Sequence, residues 1–136
     1  MDKPEISEFD SVDPAPASEI LSVPSLRQTI CDENERMFQR MRALFALRNI
    51  GGVDAVEALA AAYSSKSALL KHEIAYVMGQ MQDSHAVPHL IERLRDMEED
   101  VMVRHEAAEA LGAIGDRKAL GVLEEFKDDR DIVVAE

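Results

Sequence analysis

At 136 residues with a formal charge of −12, the chain has the length of one domain and enough mass to bury a core without disulfides or a structural metal. The acidic balance sets it against a nucleic-acid backbone or an anionic membrane surface and favours a cationic partner. Aromatic residues make up only 4%, there is no tryptophan, and Ala, Leu, Val, Met and Glu dominate, which favours closely packed helices over a sheet.

Residues 1–24 hold four of the five prolines, six acids and one base, with no lasting apolar period, so a flexible linker is expected there. The opening M-D-K-P-E lacks the apolar core of a signal peptide, and no apolar run approaches the ~20 residues of a membrane span. Cys31 is the one cysteine and has no internal partner, which fits a reducing compartment. A cytoplasmic protein is expected. Helical spacing starts with Leu26 and Ile30, in a short first helix that can begin at Ser25, just after Pro24.

From there the chain repeats itself. M-R-A-L-F-A-L-R-N-I-G-G from Met41, H-E-I-A-Y-V-M-G-Q-M-Q-D from His72 and H-E-A-A-E-A-L-G-A-I-G-D from His105 align without gaps at offsets of 31 and 33. Each opens a helix with apolar residues at helical spacing, such as Ile74, Val77, Met78 and Met81, or Ala107, Ala110, Leu111 and Ile114. Each then turns, at Gly51-Gly52, Gln82-Asp83 or Gly115-Asp116, into a second helix. Those second helices read A-V-E-A-L-A-A-A-Y, A-V-P-H-L-I-E-R-L-R and A-L-G-V-L-E-E-F, with Pro88 tolerated in an opening turn. Two helices every 31 to 33 residues predict an all-α solenoid whose units bury their apolar faces on one another. The domain runs over residues 25–136, with repeats at 34–64, 66–97 and 100–128 and a partial fourth at 131–136.

Equivalent positions in stacked repeats share an edge, so His72 is expected over His105 and Glu73 over Glu106. Packed helix axes lie about 8–10 Å apart, a gap that facing side chains can bridge through a shared ion with bonds near ~2.1 Å. Two imidazoles with carboxylates suit non-haem iron(II); zinc and manganese take the same donors. A solvated His-Glu pair near a helix start, with the acid favoured by the helix dipole, is the competing reading of the same residues. The pairs are confined to the middle two units, since Met41-Arg42 fills those slots in the first.

Other candidates have plainer expectations. His85 and His89 lie on the second helix of their unit and read as surface or capping residues, and Cys31 as a buried, inert thiol. Met78 reads as core filler close enough to His72 to touch a substrate pocket. The acidic runs at residues 98–100 and 127–131 read as solvated loops between repeats.

The segments S-A-L-L-K-H-E-I-A-Y-V-M-G-Q-M-Q and M-V-R-H-E-A-A-E-A-L-G-A-I-G are similar to those of deoxyhypusine hydroxylases, di-iron monooxygenases built of HEAT repeats. The frame A-L-G-x-I-G is shared by HEAT-like repeats generally. A His-Glu pair at the head of two successive frames, as L-K-H-E and V-R-H-E, resembles this family in particular, and the similarity covers residues 36–134. The resemblance implies a HEAT-like solenoid of the E-Z type, with about three repeats and a truncated fourth. It further implies an enzyme of two similar halves, each giving two His-Glu motifs to a site between them. By that likeness this chain holds one half, the C-terminal one, with S-V-D-P-A-P resembling the linker between halves.

His72, Glu73, His105 and Glu106 would then be metal ligands, with two Fe(II) in the complete enzyme and at most one in this half. The implied reaction is iron- and oxygen-dependent hydroxylation of the deoxyhypusine side chain on the precursor of eukaryotic translation initiation factor five A. The implied partners are that protein substrate and either the missing N-terminal half or a second copy, with neither nucleic acid nor membrane. A non-catalytic HEAT-repeat scaffold that binds a protein on its concave face is the alternative reading. A phycobilin-lyase-like protein sharing only the repeat frame ranks below both.

Overall fold

Apolar residues at helical spacing, closed off by polar caps, set the order of elements in the computed structural model, which describes residues 16–18 and 22–129. Its α-helices are α1 (Val23–Cys31), α2 (Met37–Ile50), α3 (Gly52–Ala61), α4 (Ala68–Met81), α5 (Val87–Arg95), α6 (Val101–Ile114) and α7 (Arg117–Glu125). Single 3-10 turns at Ala62–Ser64 and Ser84–Ala86 join α3 to α4 and α4 to α5. Among the described residues every regular element is helical, and no helix is long and apolar enough to cross a membrane.

Helix starts follow the cap chemistry. The Ser67 hydroxyl accepts the Leu70 N–H at the head of α4, Asp100 accepts from Met102 and Val103 at the head of α6, and Asp116 accepts from Lys118 at the head of α7. The first helix starts earlier than Ser25. Ser22 caps it through the Ser25 N–H, and Pro24 sits inside its first turn, where a missing N–H costs nothing. Upstream, Pro16 and Ser18 lie against α2: the Pro16 carbonyl accepts from Arg42 Nε at 3.2 Å, and the Ser18 N–H donates to the Arg42 carbonyl at 3.1 Å. The remainder of the proline-rich stretch and the partial fourth repeat lie outside the described residues.

The turns close differently in each unit. α2 ends at Gly51, φ 72°, and α6 at Gly115, φ 70°, both in conformations that glycine adopts without strain. α4 ends on Gln82 at φ 57°, unusual for a residue with a side chain. Its carboxamide Nε2 donates to the Gly79 carbonyl at 2.8 Å and to the Ala113 carbonyl of the next unit at 3.0 Å, satisfying two helix-end acceptors at once.

The helices form two layers. α2, α4 and α6 stack along one layer, while α1, α3, α5 and α7 back them on the other. The core between the layers is aliphatic: Leu44, Leu47, Leu59, Ile74, Met78, Leu90, Leu94 and Leu111 are fully buried. α4 and α6 make the most extensive contact, and Gly79 lies close against Ala110. A Cβ placed there would lie 3.1 Å from both Cα and Cβ of Ala110. That approach brings the heads of α4 and α6 alongside one another, which is the placement the candidate site depends on.

Candidate functional site

His72 and Glu73 stand in the second turn of α4, and His105 and Glu106 in the second turn of α6. The stacking brings His72 Nε2 to 3.0 Å from Glu106 Oε1 across the seam, and His72 Nδ1 to 3.7 Å from Glu73 Oε2. The two carboxylates are more deeply placed than the ring between them, with side chains 17% and 12% exposed against 32% for His72. One imidazole therefore sits between two carboxylates on an edge that is half-open to solvent.

His105 takes a different partner. Its Nε2 lies 3.1 Å from Glu109 Oε2, one helical turn along α6, and its Nδ1 is buried without a hydrogen-bond partner. Residues four apart on a helix share a face, so Glu109 was findable from its spacing to His105 alone. The repeat pattern hid it, because the equivalent position of the preceding unit holds Tyr76.

The donor types suit a divalent cation that takes nitrogen and oxygen ligands. Their placement suits it in part. His72 lies between Glu73 and Glu106, one carboxylate at each ring nitrogen, and His105 stands off toward Glu109. Among the described residues no group of three or more His, Cys, Asp or Glu is placed to hold a metal ion. The orphaned Nδ1 belongs to the same picture, since a ligating imidazole ordinarily has its second nitrogen held by an outer partner. The edge is thus a partial ligand set whose donors fit the metal in kind.

Beside it runs a shallow groove of about 310 Å³ between α4 and α6, lined by Tyr76, Gly79, Gln80, Glu106, Glu109 and Ala113 among others. Its apolar element is Tyr76, which is 48% exposed. Met78, expected to touch a substrate pocket, does not reach the surface: it is fully buried, and its sulfur accepts from the Tyr63 hydroxyl at 3.5 Å. Residues two apart on a helix point about 200° away from each other, so exposing Tyr76 buries Met78. Burial pushes the Tyr63 phenol far above its ordinary range, with the Arg93 guanidinium over its ring opposing in part.

The remaining histidines occupy surface ion pairs. His85 stands 2.7 Å from Asp83, the cap of its own turn, and His89 lies 2.9 Å from Glu57 of the preceding unit. Backbone and side-chain hydrogen bonds from His85 hold the Asp83 carboxyl below its usual range. Cys31 is partly buried at the end of α1; burial raises its thiol, against the pull of Arg27 and Arg40.

Two of the loops expected to be solvated are tied into the fold. The Glu99 side chain is only 2% exposed and meets Lys71 Nζ at 2.8 Å and Arg93 Nη1 at 2.6 Å. Asp129 accepts from Arg104 Nη2 at 3.1 Å. Glu98, Asp100, Lys127 and Asp128 are exposed as expected; a run of acids carries no mark of which member turns inward, and Glu99 and Asp129 do so toward basic partners whose positions the sequence does not give.

Comparison with known proteins bears on the chain as a whole. Residues 61–136 match the HEAT repeats family, and residues 39–65 match the PBS lyase HEAT-like repeat. Deoxyhypusine hydroxylase-B of Oryza sativa subsp. japonica is 50% identical over 96% of this chain and 44% of its own length. The deoxyhypusine hydroxylase of Xenopus laevis is 50% identical over 99% of this chain and 45% of its own, and that of Homo sapiens 47% over 98% and 44%. The solved structure of human deoxyhypusine hydroxylase in complex with glycerol superposes with a TM-score of 0.86 at 48% identity, covering 90% of this chain and 43% of that one. The chain spans less than half the length of the curated relatives it matches. It belongs to the HEAT-repeat family and is a homologue of the deoxyhypusine hydroxylases over that part of their length.

Proposed function

We propose that the chain is one half of a deoxyhypusine monooxygenase, acting in the cytoplasm on the deoxyhypusine side chain of the precursor of eukaryotic translation initiation factor five A. The observation that carries this reading is the meeting of two His-Glu heads across one seam, His72 Nε2 to Glu106 Oε1 at 3.0 Å, in a chain homologous to deoxyhypusine hydroxylases. His72 and Glu106 would hold iron, with Glu73 and His105 as further donors of the same edge. When bound, iron supplies the activation of molecular oxygen, one atom of which becomes the hydroxyl and the other water, with two electrons from an external reductant.

The chain's own residues do the rest. Glu73 and Glu106 supply the negative charge that a divalent cation requires, in a position shielded enough for that charge to act strongly. Beside Glu106, Tyr76 and Glu109 line a groove that suits an aliphatic chain carrying amino groups, the apolar ring lying along the stem and the Glu109 carboxylate meeting a cation. Four side chains, one of which stands off, cannot complete two metal shells. The other ligands come from a complementary half, either an N-terminal half or a second copy of this chain.

Iron analysis of the purified chain against the His72→Ala/His105→Ala double variant tests the assignment. At most about one iron per chain is expected for the wild type and close to none for the variant; equal iron in both sinks it. The second reading, a non-catalytic scaffold, is favoured by the stand-off of His105 from the seam. It requires a thermal stability indifferent to iron in wild type and variant alike, whereas a ligand bound only by the folded state raises it.

A further inference from the structure

The position just before the His-Glu slot is basic in all three units: Arg40, Lys71 and Arg104. In the outer two it is a buried arginine that reaches backward. Arg40 Nε donates to the Ile30 carbonyl and Arg104 Nε to the Leu94 carbonyl, ten residues upstream in each case and 2.9 Å in both. Each bond fastens the first helix of a unit to the end of the preceding one. Lys71 breaks this pattern. Its Nζ reaches forward to Glu99 Oε2, in the loop that opens the next unit.

Glu99 is a junction. Besides Lys71 on α4 it meets Arg93 on α5, and it accepts the backbone N–H of Asp100 at 3.0 Å. Asp100 in turn caps α6. One buried carboxylate therefore joins α4, α5 and the head of α6. The tie begins at the residue before His72 and ends five residues before His105. The rise along a helix is about 1.5 Å per residue, so a slip of one residue would displace His72 from Glu106 by half the 3.0 Å length of their contact.

We propose that Lys71 and Glu99 are positioning residues: they fix the axial stagger of α4 against α6 and so hold His72 level with Glu106. Its value to the enzyme rests on the reading of that pair as metal donors; the stagger itself does not. Arg104 supplies an internal control, because at the same repeat position its guanidinium both keeps the backward bond and reaches forward to Asp129 at 3.1 Å. Lys71→Arg should accordingly preserve the tie.

The test is a double-mutant cycle between His72→Ala and Glu106→Gln, read by urea unfolding without metal in three backgrounds. The wild-type background should show a coupling of about threefold in the unfolding constant. In Glu99→Gln the coupling should vanish, and in Lys71→Arg it should persist. Lys71→Gln, which keeps the Arg93–Glu99 pair, replaces Glu99→Gln should the latter not fold. A junction that only stabilises would lower overall stability in Glu99→Gln and leave the coupling unchanged, and that result overturns the proposal, as does an absent coupling in the wild-type background. Anaerobic titration with ferrous ion adds a second readout, with at least a tenfold rise in Kd expected for Glu99→Gln. Should the wild type take up no iron, the proposed function fails while the metal-free cycle still decides the positioning.

Discussion

Glu99 shows how one side chain can matter far from any chemistry. Burial by itself would raise its carboxyl, but hydrogen bonds from Lys71, the Asp100 N–H and Arg93 outweigh that and hold it below the usual carboxylate range. A carboxyl whose folded-state pKa is depressed binds fewer protons folded than unfolded, so its contribution to stability is present above the unfolded value of about 4.3 and is lost as pH falls through the folded one. The stability advantage of wild type over Glu99→Gln should therefore be full near neutral pH and shrink on acidification below about pH 4, which urea titrations from pH 3 to 7 would show. A difference that stays constant across that range would mean that the carboxylate charge is not what holds the junction. The same residue marks where reading the chain as letters runs out. The heads H-E, H-E are legible because they recur at a fixed offset, whereas Glu98, Glu99 and Asp100 look alike until the inward direction of Lys71 and Arg93 is known. Met78 was legible as core filler, and only its reach to the groove was misjudged, because proximity to His72 in sequence says nothing about which side of the helix it occupies.

Among the elements, the α4–α6 contact decides the site. Gly79 and Gly112 hold the same position in successive units, six residues after each Glu, yet their surroundings differ. A methyl group at Gly79 would press on the Ala110 backbone at 3.1 Å, while at Gly112 the nearest atom is the tip of Leu123 at 3.8 Å. Gly79→Ala should destabilise by about 1–3 kcal/mol through overpacking and weaken any metal held across the seam. Gly112→Ala should be neutral or stabilising by up to about 1 kcal/mol, because a helix-interior glycine gives up conformational entropy that alanine does not. Urea denaturation of both variants makes the comparison; equal losses would mean that the close approach does not set the helix separation. The helices and their turns were readable from period and caps because those signals are local. Which of two equivalent glycines is compressed depends on the neighbouring unit, and no local signal encodes it.

At the scale of the molecule, a repeat array with donors on one edge is an open surface. Taken alone, the chain should give no turnover, and mixing it with a complementary half that carries its own His-Glu heads should restore hydroxylation of the modified lysine; activity of the isolated chain would contradict the half-site reading. With iron at a hundredfold excess over its Kd, binding to the folded state would add about 2.7 kcal/mol, a rise in melting temperature that a chelator reverses and that both His72 and His105 are needed to produce. The two-layer solenoid itself was legible from the 31- and 33-residue offsets, since repetition of an amphipathic pair of helices leaves few other ways to bury both faces. The position of His105 was not, because the competing acid Glu109 lies off the repeat and draws the ring along its own helix.

The bridge made by Gln82 has a use beyond closing a turn. Both hydrogens of its carboxamide are committed, one to the end of its own helix and one to the end of the helix beside it. In a proton spectrum of the folded chain those two hydrogens should carry hydrogen-bonded chemical shifts and lose them together whenever the units part. The protein thus contains its own gauge of the joint between its two His-Glu heads, readable without labels, metal or substrate.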